Sequence, residues 1–167
     1  MNRLFLALPV TLFDYTNLQN DFEGIIQGRW VPQQNLHLTL KFFGNSFEEE
    51  FLIEKLSALD LQAETSELKG LELLNNNKIL YAKTQNPSLQ RLYAEIQESF
   101  ALPSQQEFTP HITLMRIKKI QDKPLLERRL QEYQEKSLGR LYPNIQLIQS
   151  RLSDKAAKYE CVKEFKA

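Results

Sequence analysis

Two four-residue segments contain both histidines of the chain: His37-Leu38-Thr39-Leu40, the first tetrad, and His111-Ile112-Thr113-Leu114, the second tetrad. In an extended strand, side chains alternate between two faces, so each histidine shares a face with the threonine two residues later. Imidazole has an ordinary pKa near neutrality and readily exchanges a proton there. If the fold brings the tetrads together, the two histidines can divide the acid and base steps of one reaction.

A symmetric pair of this kind suits in-line displacement at phosphorus. One imidazole would take a proton from the entering water while the other protonates the leaving oxygen on the opposite side of the phosphate. The hydroxyls of Thr39 and Thr113, together with a cation, would hold the nonbridging oxygens as charge shifts in the transition state. The sequence offers no glycine-rich phosphate loop that would point to a different chemistry.

Charge and cysteine content narrow the range of partners. Lys+Arg and Asp+Glu each total 21, so the formal net charge is zero and a strong electrostatic footprint for long nucleic acid is not evident. Any contact with nucleic acid should therefore be local and short. Cys161 is the only cysteine and cannot form an internal disulfide, and one thiol with two histidines is too few ligands for a structural zinc site.

Length and hydropathy predict an ordinary globular protein. The 167 residues are enough for one domain with a sizeable core. The apolar segment near the N-terminus is too short to span a membrane and lacks a signal-type cleavage region. We therefore expect one domain over residues 1–167, cytoplasmic and, given the neutral charge, monomeric.

Hydrophobic periodicity and turn residues divide the chain into two similar halves. The first half begins with a predicted strand from Leu4 to Leu8, which Pro9 ends, and a helix after Thr16, which Gly28 ends. A strand over 36–43 follows and contains the first tetrad. A helix capped by Ser46 and Glu49 and a strand over 64–74 complete this half. The second half begins with a predicted turn at Asn75-Asn76-Asn77, a strand from Ile79, and a helix from Pro87, which Pro103 ends. The strand of the second tetrad follows. A helix from Asp122 to Lys136 and two strands, over 145–152 and 158–165, complete the chain.

The order of these elements is an internal repeat of β-α-β-α units, with one tetrad in each unit. Such units predict an α+β fold in which each half forms a mostly antiparallel sheet with helices on one face. The two bare faces would meet across a central cleft, giving a two-lobed molecule. A pseudo-two-fold axis through the cleft would place His37 opposite His111.

Both tetrads and their flanks resemble the signatures of the two-histidine phosphoesterases. The matching segments are Trp30-Val31-Pro32, Asn35 to Gly44 and Phe108 to Arg116, and the opening Arg3 to Leu8 and Tyr159 are also similar. The most similar subgroup is the RNA 2′,3′-cyclic phosphodiesterases, also called LigT-like proteins or 2′-5′ RNA ligases. The resemblance implies a bilobal α+β fold, no metal or other cofactor, and hydrolysis of a terminal 2′,3′-cyclic phosphate to a 2′-phosphate. In some members of the family, a reversible 2′-5′ ligation accompanies this reaction.

The same resemblance suggests a role for each residue that matches the family pattern. It implies that His37 and His111 are the acid and the base, and that Thr39 and Thr113 bind phosphate oxygens. Family analogy favours His37 as the acid to the leaving 3′ oxygen, with His111 positioning the water, although the sequence alone leaves the two roles open.

Two further positions match the family but conflict with strict alternation. Arg116 occupies the place of an arginine that binds near the phosphate, and Phe42 would border the nucleoside. Each lies five residues after its histidine, and an odd offset puts it on the opposite face of a regular strand. A bulge or a strand end must intervene if Arg116 reaches the site.

Two other functions fit the same pattern. The cleft could be a binding module for nucleotides or phosphorylated RNA ends, in which the histidines are only ligands. Alternatively, the substrates could be 2′-5′-linked oligonucleotides or small cyclic phosphates, because only nucleoside contacts would discriminate among them.

Overall fold

The structure, a computed structural model, describes residues 3–102, 108–152 and 157–165, which form nine β-strands and four α-helices. The strands are β1 (Arg3–Leu12), β2 (Ile26–Trp30), β3 (His37–Gly44), β4 (Ser66–Leu74), β5 (Ile79–Thr84), β6 (Ile112–Ile120), β7 (Ser137–Leu141), β8 (Ile145–Leu152) and β9 (Ala157–Phe165). The helices are α1 (Tyr15–Asp21), α2 (Glu49–Ser57), α3 (Pro87–Ser99) and α4 (Lys123–Tyr133). A single 3₁₀ turn, Gln33–Asn35, precedes β3.

The strands form two antiparallel sheets that share β1. The first sheet has the strand order β3-β1-β8-β9, and the second has the order β2-β6-β5-β4-β7. Residues of β1 up to Pro9 pair with β3, whereas Val10 to Leu12 pair with β7. The predicted α+β class with antiparallel sheets is confirmed.

The lobes do not coincide with the two halves of the chain, which differs from the prediction. In the first sheet, β1 and β3 come from the first half, but their neighbours β8 and β9 come from the end of the chain. In the second sheet, β4 comes from the first half and pairs with β5 and β7 from the second. The order of elements thus repeats, but β4 of the first half lies in the second sheet, and β8 and β9 of the second half lie in the first sheet.

Helices cover one face of each sheet and leave the other face for the site. Helix α3 lies against β3, α2 against β9, and α4 against β4. The leucines of β1 at positions 4, 6 and 8 belong to the main hydrophobic core, while Phe5 and Ala7 form a separate buried cluster with Ile148 on the opposite face. No helix in the described parts of the chain is long and apolar enough to cross a membrane.

Several predicted element boundaries are wrong. Pro9 does not end β1, because the strand continues to Leu12 while changing its partner from β3 to β7. Ser46 and Glu49 form no capping box, since α2 begins after Glu48 without a side-chain cap. Strand β7 follows α4 directly and was not predicted as a strand. Pro103, predicted to end the third helix, lies outside the described residues.

Gly28 does not end a helix but lies within strand β2, where it allows the closest approach to β6. Helix α1 ends at Asp21, and the chain turns through Gly24 before β2 begins. A Cβ atom at Gly28 would lie 2.1 Å from the carbonyl oxygen of Arg116. The requirement for glycine is therefore steric and comes from the neighbouring strand.

We expect Gly28→Ala to lower the free energy of unfolding by about 1–3 kcal/mol, because the clash is with backbone and the strands must separate to relieve it. Urea denaturation measures this change. Gln27→Ala, at an exposed neighbouring position on the same strand, is the matched control and should alter the value by less than about 0.5 kcal/mol. Equal stabilities of the two variants would contradict the steric role of Gly28.

Candidate active site

Backbone carbonyls fix both histidine rings in the same way. The Nδ1 atom of His37 lies 2.6 Å from the carbonyl oxygen of Asn35, and that of His111 lies 2.9 Å from the carbonyl oxygen of Thr109. A carbonyl oxygen can only accept, so Nδ1 carries the proton in each ring. The neutral form of each imidazole therefore has its lone pair on Nε2, the atom left to exchange a proton with a substrate.

The two rings differ in what their Nε2 atoms contact. Nε2 of His37 lies 2.9 Å from the hydroxyl oxygen of Thr39, which donates to the neutral ring. Among the described residues, neither Nε2 of His111 nor the hydroxyl of Thr113 has a hydrogen-bond partner. Thr39 thus restrains the His37 ring directly, and no equivalent bond restrains His111.

A β-bulge lies at the last residue of each tetrad. In the pairing of β1 with β3, Ala7 pairs with Thr39 and Leu6 pairs with Lys41, so Leu40 is the extra residue. In the pairing of β5 with β6, Tyr81 pairs with Thr113 and Leu80 pairs with Met115, so Leu114 is the extra residue. These bulges reverse the alternation and place the fifth residue after each histidine on the face of the histidine.

The bulges explain how Phe42 and Arg116 can share the face of the tetrads. Phe42 pairs with Phe5 across the strands and stacks on its ring, with centroids 5.2 Å apart. It remains 57% exposed, so one face of its ring is open to solvent. Arg116 pairs with Ile79 and is exposed. The two residues occupy equivalent places in the two lobes.

Hydrogen bonds connect the segment before the first tetrad with the strand of the second. The amide of Val31 donates to the carbonyl of Leu114 over 2.7 Å. The hydroxyl of Tyr15, in α1, donates to the carbonyls of Val31 and Leu114 at 2.7 and 3.2 Å. Burial raises the pKa of Tyr15 to about 12, which keeps this hydroxyl a donor at any physiological pH. The structure thus brings the two tetrads together.

Aromatic rings surround His37. Its ring centroid lies 5.0 Å from that of Phe5 and 5.4 Å from that of Tyr159, which meets it edge to face. Burial lowers the pKa of His37 below its ordinary value, the hydrogen bond to Asn35 opposes this change, and the positive charge of His111 lowers the pKa further. In the protein without substrate, His37 therefore favours the neutral form.

Tyr159, on β9, packs its ring edge to face against His37. Burial raises the pKa of Tyr159, and the positive charge of Arg116 opposes the rise. The side chain of Asn35 donates to the carbonyl of Ala157 over 3.0 Å and ties the start of β9 to the first tetrad.

His111 has a more polar environment than His37. The ring of Tyr81 meets it edge to face at 5.8 Å, and the Tyr81 hydroxyl donates to the Glu72 carboxylate over 2.8 Å. Burial, with this hydrogen bond and the carboxylate charge, raises the pKa of Tyr81 to about 12. A pocket of about 730 Å³ lies beside these residues and is lined by charged side chains, including Lys83 and Glu72.

Five residues contact the histidines without having been assigned that contact from the sequence: Asn35, Thr109, Phe5, Tyr81 and Tyr159. Asn35 has a signal, because Asn35 and Thr109 each lie two residues before a histidine and use the same carbonyl contact. The three rings come from distant strands and have no local signal. In the part of the chain that the structure describes, no three histidine, cysteine or acidic side chains lie close enough together to hold a metal ion.

Comparison with known proteins identifies relatives along nearly the whole chain. A family model described as AKAP7 2′5′ RNA ligase-like domain matches residues 15–167. An RNA 2′,3′-cyclic phosphodiesterase of Methanocaldococcus jannaschii is 29% identical, covering 98% of this chain and 99% of its own. The protein of the same name from Aquifex aeolicus is 27% identical, over 84% of this chain and 82% of its own.

Solved structures share the fold. E. coli LigT, in a complex with 3′-AMP, superposes with a TM-score of 0.74 at 20% identity and covers 98% of this chain and 97% of its own. A Thermus thermophilus protein superposes with a TM-score of 0.68 at 24% identity, over 98% of this chain and 96% of its own. The fold is thus common to all three.

The proximity of the two histidines predicts a coupling that NMR can measure. A positive charge at residue 111 disfavours a second one on His37, so His111→Gln should raise the pKa of His37 towards 6.5. The titration of the His37 ring protons in both proteins gives this shift. Arg128→Gln, which removes an exposed charge on α4, is the control and should leave the pKa unchanged. The same His37 pKa in the wild type and His111→Gln would show that the rings are not coupled.

Proposed function

The chain belongs to the family of AKAP7 2′5′ RNA ligase-like domains, and from this we propose that it hydrolyses the 2′,3′-cyclic phosphate at the end of an RNA chain to a 2′-phosphate. One observation carries the proposal: two imidazoles, on β3 and immediately before β6, two strands that lie in contact, each have Nδ1 held by a backbone carbonyl, so that Nε2 is the atom for proton transfer. The relatives named RNA 2′,3′-cyclic phosphodiesterases, which match along most of the chain, support the choice of substrate.

In the reaction, a water oxygen forms a bond to phosphorus and the bond from phosphorus to the 3′ oxygen breaks. One histidine accepts the proton that the water loses, and the other donates a proton to the leaving 3′ oxygen. Following the family resemblance, we assign the acid to His37 and the base to His111. The same two groups would support 2′-5′ ligation when the 5′ hydroxyl of a second RNA end takes the place of the water. The 5′ oxygen would then form the bond to phosphorus as the bond to the 3′ oxygen breaks, and the product would be a 2′-5′ phosphodiester.

The remaining residues of the candidate site would bind the substrate. Thr39 and Thr113 share the face of the histidines and would donate hydrogen bonds to the nonbridging phosphate oxygens. Arg116 would neutralise the phosphate charge, for which the planar guanidinium is well suited. The exposed ring face of Phe42 would pack on the nucleoside. No step in this scheme requires a metal, and we propose that the protein works as a cytoplasmic monomer.

Replacement of either histidine should lower kcat by about 10²–10⁴-fold, because each supplies one proton transfer. The assay uses an oligoribonucleotide ending in a 2′,3′-cyclic phosphate, with EDTA present and thermal denaturation to show that the variants are folded. Replacement of either threonine by valine should cost less. No turnover by the wild type, or turnover only with added metal, would contradict the proposed function. Tight binding without hydrolysis would instead indicate a binding module.

A substrate with sulfur in place of the 3′ bridging oxygen separates the two histidine roles. A thiolate leaves without protonation, so the variant that lacks the acid should regain activity on this substrate. We expect recovery for His37→Ala and none for His111→Ala, which serves as the matched control. Recovery of His111→Ala alone would reverse the assignment of the two roles.

The lowered pKa of His37 predicts different pH profiles for free and bound protein. An acid must be protonated to act, and its charged form is disfavoured by burial but favoured by a bound phosphate anion. The pH dependence of kcat/KM reports the free protein, and that of kcat reports the complex with substrate. As pH rises, kcat/KM should therefore begin to fall at a lower pH than kcat does. Steady-state kinetics across the pH range would test this. Coincident alkaline limbs would contradict the acid role of His37.

A further inference from the structure

Two arginines lie directly opposite each other beside the candidate site. Arg29 on β2 pairs with Arg116 on β6. The neighbouring Trp30 packs its ring against Tyr15 and Phe22 of the α1 segment, so Arg29 points to the face away from the helix. Met115 is in the core, so Arg116 points to the same face as Arg29. Side chains at directly opposed positions begin about 5 Å apart, and like charges there are destabilising.

Within residues 3–102, 108–152 and 157–165, no carboxylate forms an ion pair with either arginine. Among the described residues, none of the ion pairs involves Arg29, Arg116 or Lys118. The same three cations line an open groove of about 610 Å³, and no acidic residue of the described part of the chain contributes to its walls. Because the chain as a whole has zero net charge, this concentration of positive charge is local.

The larger pocket beside His111 has the opposite character. Its two lysines are already paired, Lys69 with Glu135 over 3.2 Å and Lys83 with Glu72 over 3.3 Å. An anion entering this pocket would meet carboxylates as well as ammonium groups. Compared with this pocket, the groove of Arg29, Arg116 and Lys118 is therefore better suited to a second phosphate.

We infer that Arg29, supported by Lys118, binds the phosphodiester that links the terminal nucleotide of the substrate to the preceding one. This inference rests on the proposed function, in which Arg116 contacts the reacting phosphate. The groove begins at Arg116 and continues along β2, so the chain of a substrate would pass from the site over Arg29. A mononucleoside cyclic phosphate has no such second phosphate, and the enzyme is thereby specific for RNA ends over mononucleotides.

The test compares three substrates: a nucleoside 2′,3′-cyclic phosphate, a dinucleotide ending in a 2′,3′-cyclic phosphate, and that dinucleotide with an uncharged methylphosphonate linkage. Loss of one charge-assisted hydrogen bond is worth roughly tenfold or more in kcat/KM. We expect Arg29→Gln to lower kcat/KM for the charged dinucleotide about tenfold more than for either of the other two substrates. Arg91→Gln, an exposed position on α3, is the matched control and should show no such selectivity.

Salt dependence gives a second measurement. For the wild type, log kcat/KM for the charged dinucleotide should fall with log salt more steeply than for the mononucleotide, by roughly 0.7 for one added phosphate contact. Arg29→Gln should remove this difference.

The outcomes separate the two proposals. If the wild type hydrolyses none of the three substrates, the proposed function fails. If it hydrolyses all three but Arg29→Gln affects them equally, or the methylphosphonate is as good a substrate as the charged dinucleotide, the proposed function stands and the role of Arg29 is overturned.

Discussion

The arrangement of the site depends on one extra residue in each of two strands. A regular strand separates positions five apart onto opposite faces, and the bulges at Leu40 and Leu114 remove that separation. Because both bulges lie three residues after a histidine, each lobe presents a histidine, a threonine and a fifth-position side chain to the same side. The fifth position is Phe42 in one lobe and Arg116 in the other. A symmetric backbone thus presents an aromatic side chain in one lobe and a cationic side chain at the equivalent place in the other.

The surroundings of the two imidazoles break the symmetry further. His37 lies among the rings of Phe5 and Tyr159 and bonds to Thr39, whereas His111 contacts one tyrosine that a carboxylate holds in place. Low polarity around His37 disfavours its charged form, so its proton is held weakly. A bound anion favours protonation of the ring, and the weakly held proton is then readily given to a leaving oxygen. This is consistent with an acid role. The assignment of two roles to two identical residues thus has a physical basis in their neighbours.

The sequence predicted the strands of the two tetrads, the repeat and the fold class, because all three depend on local patterns. The alternation of side chains from His37 to Leu40 acts over a few positions. So do turn residues such as Asn75 to Asn77, which adopt positive φ angles. It could not predict the faces of Arg116 and Phe42, because a bulge is defined by the partner strand. Gly28 was misread for a similar reason, since its constraint is a carbonyl of β6 and not a helix end. The contacts of Tyr159 with His37 require β9 to join a sheet begun more than a hundred residues earlier.

The exchange of strands between lobes has a consequence for how the protein is made. The strand that carries His37 pairs with β1, and β1 needs β8, which follows every other element except β9. The chain emerging from the ribosome contains both histidines long before the first sheet can close. Such long-range pairing is formed late and at a high entropic cost, so folding is expected to be slow relative to proteins with local contacts. A nascent or truncated chain that ends before Ile145 would carry both tetrads but only part of the sheet that holds His37, so the surroundings of His37 are completed only with the last strands.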